Sequence, residues 1–260
     1  WQALQNGSCR IAEDPPPSLA RSGRLAPGPI GERGWEDLRK KAQTLLDRSC
    51  ALAPFEGGGH EPAPQSITLT LGERRLNGRL DHVYCDRAGG LWLVSISQSK
   101  TLDFKHLLPW YLQWLCLRLA RPTEIGVHAA LVHLDENDGV HILGKHALAQ
   151  SQLRGSLGRM VDAFDNAAQT ARHYFPRTSY GYAESLASGK GDPNFKARQL
   201  WEGNQQSKGE ARYEPGYNAL IGAEADFLQD NHPQHIAFAE LATRLHADIA
   251  AAEHGARGVA

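Results

Sequence analysis

The chain has 260 residues with 28 basic and 29 acidic side chains, a formal charge of −1 and 41% hydrophobic residues. This composition is globular and too apolar for disorder, and the balanced charge excludes a strongly basic nucleic-acid clamp. The longest apolar segment, Leu107 to Leu119, is interrupted by Pro109, Gln113 and Arg118. It is shorter than the ~18 residues of a transmembrane helix, so we expect no membrane span.

The N-terminal end indicates a piece of a longer protein. The chain begins at Trp1 without an initiator methionine, and Met160 is its single methionine. Length alone predicts one or two domains. We expect one structural domain, in which residues 1–65 form a connector and a helix and residues 66–260 form an α/β core with C-terminal helices.

Hydrophobic spacing predicts the elements of the first half of the chain. They are a helix at 32–52, a β-hairpin at 66–84 that turns at 72–75, and a buried strand at 91–94. The change from alternating to helical spacing after Val94 predicts that residues 76–83 and 91–96 are adjacent strands of one sheet.

The second half alternates helices with two further strands. The predicted elements are a helix at 104–120, strands at 127–133 and 139–143, an amphipathic helix at 148–174, a loop at 176–193, and helices near 195–201, 216–230 and 233–253. This order is typical of an α/β fold with a small mixed β-sheet flanked by helices.

The cysteines and histidines do not form a recognisable metal or disulfide pattern. Cys9, Cys50, Cys85 and Cys116 show no CxxC pair, and the twelve histidines form no Cys/His cluster. We therefore predict neither a zinc site nor a small disulfide framework, and a reducing cytoplasm fits best. The glycines at 57–59 lack the following Lys-Ser/Thr pair of a phosphate-binding loop, so we expect no ATP site.

The segment from residue 76 to residue 120 carries the most information about function. It is predicted as strand, turn, strand and helix, with Asp81 on the second hairpin strand and Lys100 just past the third. In metal-dependent nucleases, an acidic residue on one strand and an acid-x-Lys triplet on the next hold Mg²⁺, which orients water and neutralises the scissile phosphate.

Two sequence motifs in this segment resemble a known nuclease family. Gly78-Arg79-Leu80-Asp81-His82-Val83, followed by Gly90-Leu91-Trp92-Leu93-Val94, resembles the RecB-type nuclease core of the PD-(D/E)xK superfamily. In that family the acid comes directly after the two closing hydrophobic residues. The corresponding triplet here is Ser95-Ile96-Ser97, in which both the acid and the lysine are missing.

These departures predict a nuclease-like fold that has lost its catalytic residues. A hydroxyl is a weak ligand for Mg²⁺, and Asp81 alone would offer one carboxylate to a cation that prefers several oxygen ligands. Lys100 lies three residues beyond Ser97. We therefore interpret Asp81, Ser95, Ser97 and Lys100 as degenerate positions that bind no metal, with Asp81 pairing with Arg79 or Lys100. The alternative is an active Mg²⁺ nuclease that uses Asp81, Lys100 and an acid not yet placed.

The chain as a whole, from about residue 2 to residue 250, is similar to the C-terminal region of the RecC family, the gamma subunit of exodeoxyribonuclease V. The stretches that carry the likeness are Leu25 to Glu32, Ile67 to Gly72, Arg75 to Leu80, Pro109 to Leu115 and Lys196 to Asn204, with Gly209, Glu210 and Tyr213 after it.

The resemblance implies a domain that is an inactive relative of the RecB nuclease. It also implies a parent subunit that separates DNA strands, helps to recognise the Chi sequence, and scaffolds RecB-type and RecD-type partners during double-strand break repair by homologous recombination. Mg²⁺ and ATP would then act in those partners, and no cofactor is expected in this domain. Double-stranded DNA ends and single-stranded DNA would be the nucleic-acid partners.

Basic residues near the C-terminal end are candidates for DNA contact. The candidates are Lys190, Lys196, Arg198 and Lys208, with Trp201 or Tyr182 placed to stack on unpaired bases. The long predicted loop before them favours a binding role. Two alternatives stay open: an ordinary solvated face, and a protein–protein adaptor that never touches DNA. With a net charge of −1, we expect the fragment alone to bind single-stranded DNA weakly.

Overall fold

The computed structural model describes residues 2–5, 7–56, 61–169, 173–204, 208–221, 226–229 and 232–254. The chain divides into two compact units. The first unit comprises Trp1–Thr101 and Cys116–Gly144, and the second comprises Leu102–Leu115 and Lys145–Ala260. The domain boundary predicted at residue 65 stays a prediction, and the glycines at 57–59 lie outside the described residues.

The strands of the described chain lie between an N-terminal and a C-terminal group of helices, and one helix separates the fourth strand from the fifth. The helices are α1 (Gln2–Gln5), α2 (Pro17–Arg21), α3 (Pro29–Cys50), α4 (Phe104–Leu119), α5 (Gln150–Gln169), α6 (Pro176–Ser188), α7 (Pro193–Glu202), α8 (Glu210–Tyr213), α9 (Pro215–Ile221) and α10 (His235–His254). The strands are β1 (Gln65–Leu71), β2 (Arg74–Leu80), β3 (Val83–Cys85), β4 (Leu91–Ile96), β5 (Val127–Val132) and β6 (Val140–Leu143). Among the described residues, no helix is both long and apolar enough to cross a membrane.

The strands of the first unit form two small sheets. β1 and β2 make an antiparallel pair, and the second sheet has the strand order β3-β4-β5-β6. Strand β4 runs antiparallel to β3 and parallel to β5, whereas β6 is antiparallel to β5. The mixed α/β class with a small mixed sheet is therefore confirmed.

The predicted return strand of the hairpin is interrupted at residues 81 and 82. Residues up to Leu80 pair with β1, and Val83 begins a separate strand that pairs with Leu93. The prediction that residues 76–83 form one strand beside residues 91–96 is thus wrong for 76–80, since a bend at 81–82 passes the chain from one sheet to the other. Alternating hydrophobicity continues through the bend, so the pattern did not reveal it.

The turn between β3 and β4 is organised by one carboxylate. Asp86 accepts hydrogen bonds from the N–H groups of Ala88 at 2.9 Å and Gly90 at 2.7 Å, and from Nε1 of Trp92 at 2.9 Å. Burial acts to raise the pKa of Asp86, but these three donors outweigh it and lower the pKa. A Cβ at Gly90 would lie 2.6 Å from an Asp86 oxygen, so the turn requires glycine there. This turn fixes the register of β3 against β4.

An N-terminal strap, residues 9–11, lies along α3 in the first unit. Gln43 donates to the carbonyl of Cys9 at 2.8 Å and accepts from the N–H of Ile11 at 2.9 Å. Cys9 and Cys50 form a disulfide with a Cα–Cα distance of 6.3 Å. The prediction of no small disulfide framework did not anticipate this single bond. Their separation of 41 residues could not reveal the pairing, because only the folded strap brings Cys9 to the end of α3.

In the second unit, the predicted loop at 176–193 is mostly helix α6, followed by the short turn 189–192. Proline occupies the first position of α6, where its missing N–H costs nothing. The N-terminal N–H groups of Arg177 and Thr178 donate to the carboxylate of Glu210 at 3.1 and 2.7 Å. The serine and glycine content suggested a loop, but this helix is capped by a residue that lies about thirty positions away in the sequence.

Aromatic side chains form the core of the second unit. The ring of Trp201 lies 4.4 Å from that of Phe175 and 5.2 Å from that of Phe227, measured between centroids. Phe227 contacts Phe238 of α10 at 5.3 Å. The core therefore joins α6, α7 and α10 into one packed group.

Candidate functional site

The nuclease-like motifs lie around two paired strands, β3 and β4. Val83 pairs with Leu93, and the N–H of Val94 donates to the carbonyl of His82 at 3.0 Å, which is the last contact of this pairing on the side of Asp81. Asp81 lies in the bend just before β3, where the chain passes from one sheet to the other. Ser95 and Ser97 lie at the end of β4, two residues apart and therefore on the same face.

The carboxylate of Asp81 is engaged in a surface ion pair. Nε of Arg79 donates to Oδ1 of Asp81 at 2.7 Å, and both side chains are exposed. This is one of the two partners predicted for Asp81. Because exposed pairs of this kind contribute at most about 1 kcal/mol, the arrangement is an ordinary surface contact.

Of the two serines that occupy the triplet, Ser97 is engaged by the local backbone. The N–H of Ser97 donates to the carbonyl of Val132 at 2.8 Å, which extends the pairing of β4 with β5. The Oγ of Ser97 accepts the N–H of Ser99 at 3.2 Å. Ser95 is half-buried within β4. Neither position supplies an anionic oxygen.

Lys100 does not pair with Asp81. Its Nζ lies 3.9 Å from Oε1 of Glu136, and both side chains are exposed. Within the described ranges, no group of three or more His, Cys, Asp or Glu side chains is arranged to hold a metal ion. Asp81, Ser95 and Ser97 offer one carboxylate, already paired with Arg79, and two hydroxyls, which is a poor ligand set for Mg²⁺.

Two of the six candidates for DNA contact are core residues. Trp201 is fully buried and Tyr182 is 8% exposed. Tyr182 packs edge-on against Phe238, with ring centroids 5.3 Å apart. In this structure neither ring presents a face to an unpaired base, so the stacking role predicted for them does not fit their burial. The aromatic spacing that suggested stacking reflects core packing.

The four basic candidates lie at or near the surface. Lys190, Lys196 and Lys208 are exposed, whereas Arg198 is half-buried. Nη1 of Arg198 lies 3.3 Å from Oε1 of Glu202, one turn along α7. Among the described residues, Lys190, Lys196 and Lys208 form no ion pair with a carboxylate, so they are the better candidates to bind a ligand of opposite charge.

Three apolar side chains that the second unit exposes were not predicted from the sequence. Leu186 of α6, Phe195 of α7 and Ile236 of α10 are all exposed. The signal was present at Phe195, which lies directly before Lys196 and off the buried face that Ala197 and Trp201 define on α7. For Leu186 there was no such signal, because α6 was predicted as a loop.

Comparison with known proteins places most of the chain in one family. The family model for the RecC C-terminal domain matches residues 5–187. Two curated relatives, both named RecBCD enzyme subunit RecC, come from Mycobacterium tuberculosis strains CDC 1551 / Oshkosh and ATCC 25618 / H37Rv. Each is 28% identical over 198 residues, which is 75% of this chain and 16% of the relative. The chain thus spans about a sixth of the length of these relatives.

The match confirms the resemblance seen in the sequence. It ends at residue 187, so the closing motif from Lys196 to Asn204 lies beyond it. A solved structure described as "Crystal structure of SSO0001" covers 61% of this chain and 78% of its own, at 11% identity. Its TM-score of 0.31 is too low to support an argument about fold.

Proposed function

Since this chain belongs to the RecC C-terminal domain family, we propose that it is a non-catalytic domain of the gamma subunit in a RecBCD-type helicase and exonuclease complex. In this proposal the core descends from a PD-(D/E)xK nuclease and no longer cleaves DNA. Strand separation, Chi recognition and the processing of double-strand breaks for homologous recombination belong to the assembled complex, which acts in the cytoplasm. ATP and Mg²⁺ act in the RecB-type and RecD-type partners.

One observation carries the proposal that this domain is not an enzyme. At the positions where the nuclease motif requires two acids and a lysine, the chain has Asp81, Ser95 and Ser97. Asp81 is neutralised by Arg79 at 2.7 Å, and Lys100 faces Glu136. One carboxylate that is already paired with an arginine is not enough to bind a divalent cation beside the DNA phosphate, because the protein ligands of Mg²⁺ are mainly anionic oxygens.

A cleavage assay tests this proposal. The purified chain is incubated with linear double-stranded and single-stranded DNA in the presence of Mg²⁺ or Mn²⁺, beside an Asp81→Ala variant. We expect both proteins to leave the DNA intact. Metal-dependent cleavage that persists through purification and disappears in Asp81→Ala would establish the alternative, an active nuclease that uses Asp81 and Lys100.

We propose that DNA binding by this domain alone is weak. The chain has a net charge of −1, and of the four basic candidates Arg198 is already paired with Glu202. Few phosphates can then be neutralised, so the logarithm of the binding constant should fall only shallowly with the logarithm of salt concentration. Measuring the affinity for single-stranded DNA at several salt concentrations checks this. A steep slope would contradict it, and no binding at any salt would favour the pure adaptor.

A further inference from the structure

The disulfide between Cys9 and Cys50 joins a peripheral segment of the first unit to the end of a helix. Cys9 belongs to the N-terminal strap, and Cys50 is the last residue of α3. Cys9 is exposed to solvent, whereas Cys50 is half-buried and packs against apolar core residues. A solute can therefore approach this bond from the side of Cys9.

An exposed disulfide can be opened by thiol–disulfide exchange. A thiolate attacks one sulfur, forms a mixed disulfide with it, and expels the other sulfur as a thiolate. Here the accessible sulfur is that of Cys9, so the reductant is joined to Cys9 and Cys50 leaves as the thiolate. A second thiol then attacks the reductant's sulfur in the mixed disulfide and releases Cys9. The cysteines gain two electrons, two reductant thiols become one disulfide, and their two protons pass through solvent to the cysteines.

Hydrogen bonds hold the strap to α3 beside the disulfide. The side-chain amide of Gln43 donates to the carbonyl of Cys9 at 2.8 Å and accepts from the N–H of Ile11 at 2.9 Å. Just beyond the strap, Nε1 of Trp35 donates to the carbonyl of Glu13 at 2.6 Å. Each of these bonds adds little net stability, because water can replace the partner when the segment lifts. The covalent bond is therefore the link that decides whether the strap can leave the helix.

The strap and α1 cover apolar side chains of the first unit. Leu4 of α1 is 3% exposed and lies in one hydrophobic cluster with Leu45 and Leu46 of α3. The cluster extends to Trp92 of β4, and Ile11 of the strap packs against it. Lifting the strap would therefore uncover apolar surface that reaches the sheet.

We propose that Cys9 and Cys50 form a redox-active site for thiol reductants, and that opening their bond releases the strap from α3. In the oxidised state, the tether at Cys9 keeps Ile11, two residues away, beside Gln43. In the reduced state, the hydrogen bonds and the apolar contacts of Leu4 and Ile11 hold the segment, which can then open locally while the rest of the unit stays folded. The inference is independent of the proposed function, because it uses contacts within the first unit alone.

The first experiment measures whether a reductant reaches the bond in the folded chain. The purified chain is incubated without denaturant, with or without dithiothreitol, then alkylated, and the labelled cysteines are identified by peptide mass spectrometry. We expect Cys9 and Cys50 to be labelled after dithiothreitol alone, and exposed Cys85 to be labelled in both samples. If Cys9 and Cys50 resist reduction until the chain is denatured, or if they are labelled without any reductant, the proposal is wrong.

The second experiment separates release of the strap from a general loss of stability. Hydrogen exchange is measured by NMR at several urea concentrations below the unfolding transition, with and without dithiothreitol. The two probes are the N–H of Ile11, which donates to Gln43, and the N–H of Val94, which donates to His82 beside the sheet. Exchange through global unfolding accelerates with urea, whereas exchange through a small local opening depends little on it.

We expect Ile11 and Val94 to show the same urea dependence in the oxidised chain. After reduction, Ile11 should exchange at least tenfold faster than Val94 and with little dependence on urea. Cys9→Ser/Cys50→Ser should match the reduced chain under both conditions, and the control Cys85→Ser should behave like the wild type. The reduced wild type needs no substitution, so it decides the question even where the double variant fails to fold.

Two results would overturn the release of the strap. If Ile11 still follows Val94 after reduction, the noncovalent contacts hold the strap by themselves. If Ile11 exchanges locally while the bond is intact, the bond does not hold the strap in place.

Discussion

The two units use their polar and apolar side chains differently. In the first unit, the polar groups around the motif strands are taken up by the fold: Asp81 pairs with Arg79, Asp86 fixes a turn, and Ser97 supports the end of a strand. In the second unit, Trp201 and Tyr182, which the sequence suggested for base stacking, are buried, whereas Phe195 on the same helix as Trp201 is exposed.

This difference separates two kinds of substitution. The polar groups of the first unit serve the local structure, so substitutions there should be read as changes in stability. In the second unit, truncation of a buried aromatic residue should change stability, whereas truncation of an exposed one should leave it nearly unchanged.

Replacing Trp201 by alanine should have the largest effect. The indole is fully buried against Phe175 and Phe227, so truncation leaves a cavity in the aromatic core of the second unit. We expect the free energy of unfolding to fall by about 3–5 kcal/mol. Urea denaturation followed by far-UV circular dichroism measures it.

The matched control is Phe195→Ala, which removes an aromatic ring from the surface of the same helix. We expect this change to stay within about 0.5 kcal/mol of the wild type. A stable Trp201→Ala protein with impaired DNA binding would restore the stacking role and contradict the assignment of Trp201 to the core.

Reduction of the Cys9–Cys50 disulfide should lower the stability of the first unit. The bond closes a loop of about 41 residues, for which the loss of unfolded-state entropy corresponds to about 2–4 kcal/mol. We expect a lower melting temperature with a phosphine reductant. A Cys9→Ser/Cys50→Ser double variant should melt at the reduced value with or without reductant.

Thiol titration under denaturing conditions provides an independent check on this bond. The described structure leaves Cys85 and Cys116 as free thiols, so two thiols rather than four should react. Four reactive thiols in protein purified without reductant would contradict the disulfide.

Burial raises the pKa of Cys116 to about 11, so in the folded protein it should react far more slowly than exposed Cys85.

Removing the distant cap of α6 should have an intermediate effect. In Glu210→Ala, the buried N–H of Thr178 and that of Arg177 lose their acceptor, which should cost about 1–3 kcal/mol. Glu202→Ala is the control, because that carboxylate forms a half-exposed pair worth at most about 1 kcal/mol. Hydrogen exchange at Thr178 should accelerate in the first variant and not in the second.

Particular elements show what the sequence could and could not predict. The strands of the four-stranded sheet were predicted because their hydrophobic runs are local signals. Helix α6 was missed because Phe175, the residue before it, makes no side-chain cap and the acceptor comes from Glu210. The bend at 81–82 was missed because strand patterning does not say which sheet a strand joins. Sequence motifs located Asp81, Ser95 and Ser97, but the burial of Trp201 depends on its contacts with Phe175 and Phe227, which lie outside α7 and which the spacing within the helix does not reveal.

Acid should lower stability through histidines that both units bury. Burial lowers the pKa of His133 in the first unit, helped by the ring of His141 at 5.2 Å, and burial also lowers the pKa of His246 in the second. The unfolded chain takes up protons near pH 6.5 while these rings stay neutral in the fold. The contribution of these histidines to the free energy of unfolding is therefore fully present above pH 6.5 and falls as the pH drops below it.

We expect His133→Gln to make this pH dependence less steep, with a smaller effect than the changes above. Urea unfolding between pH 5 and 8 measures it. An unchanged slope in that variant would show that His133 is accessible to protons in the folded first unit.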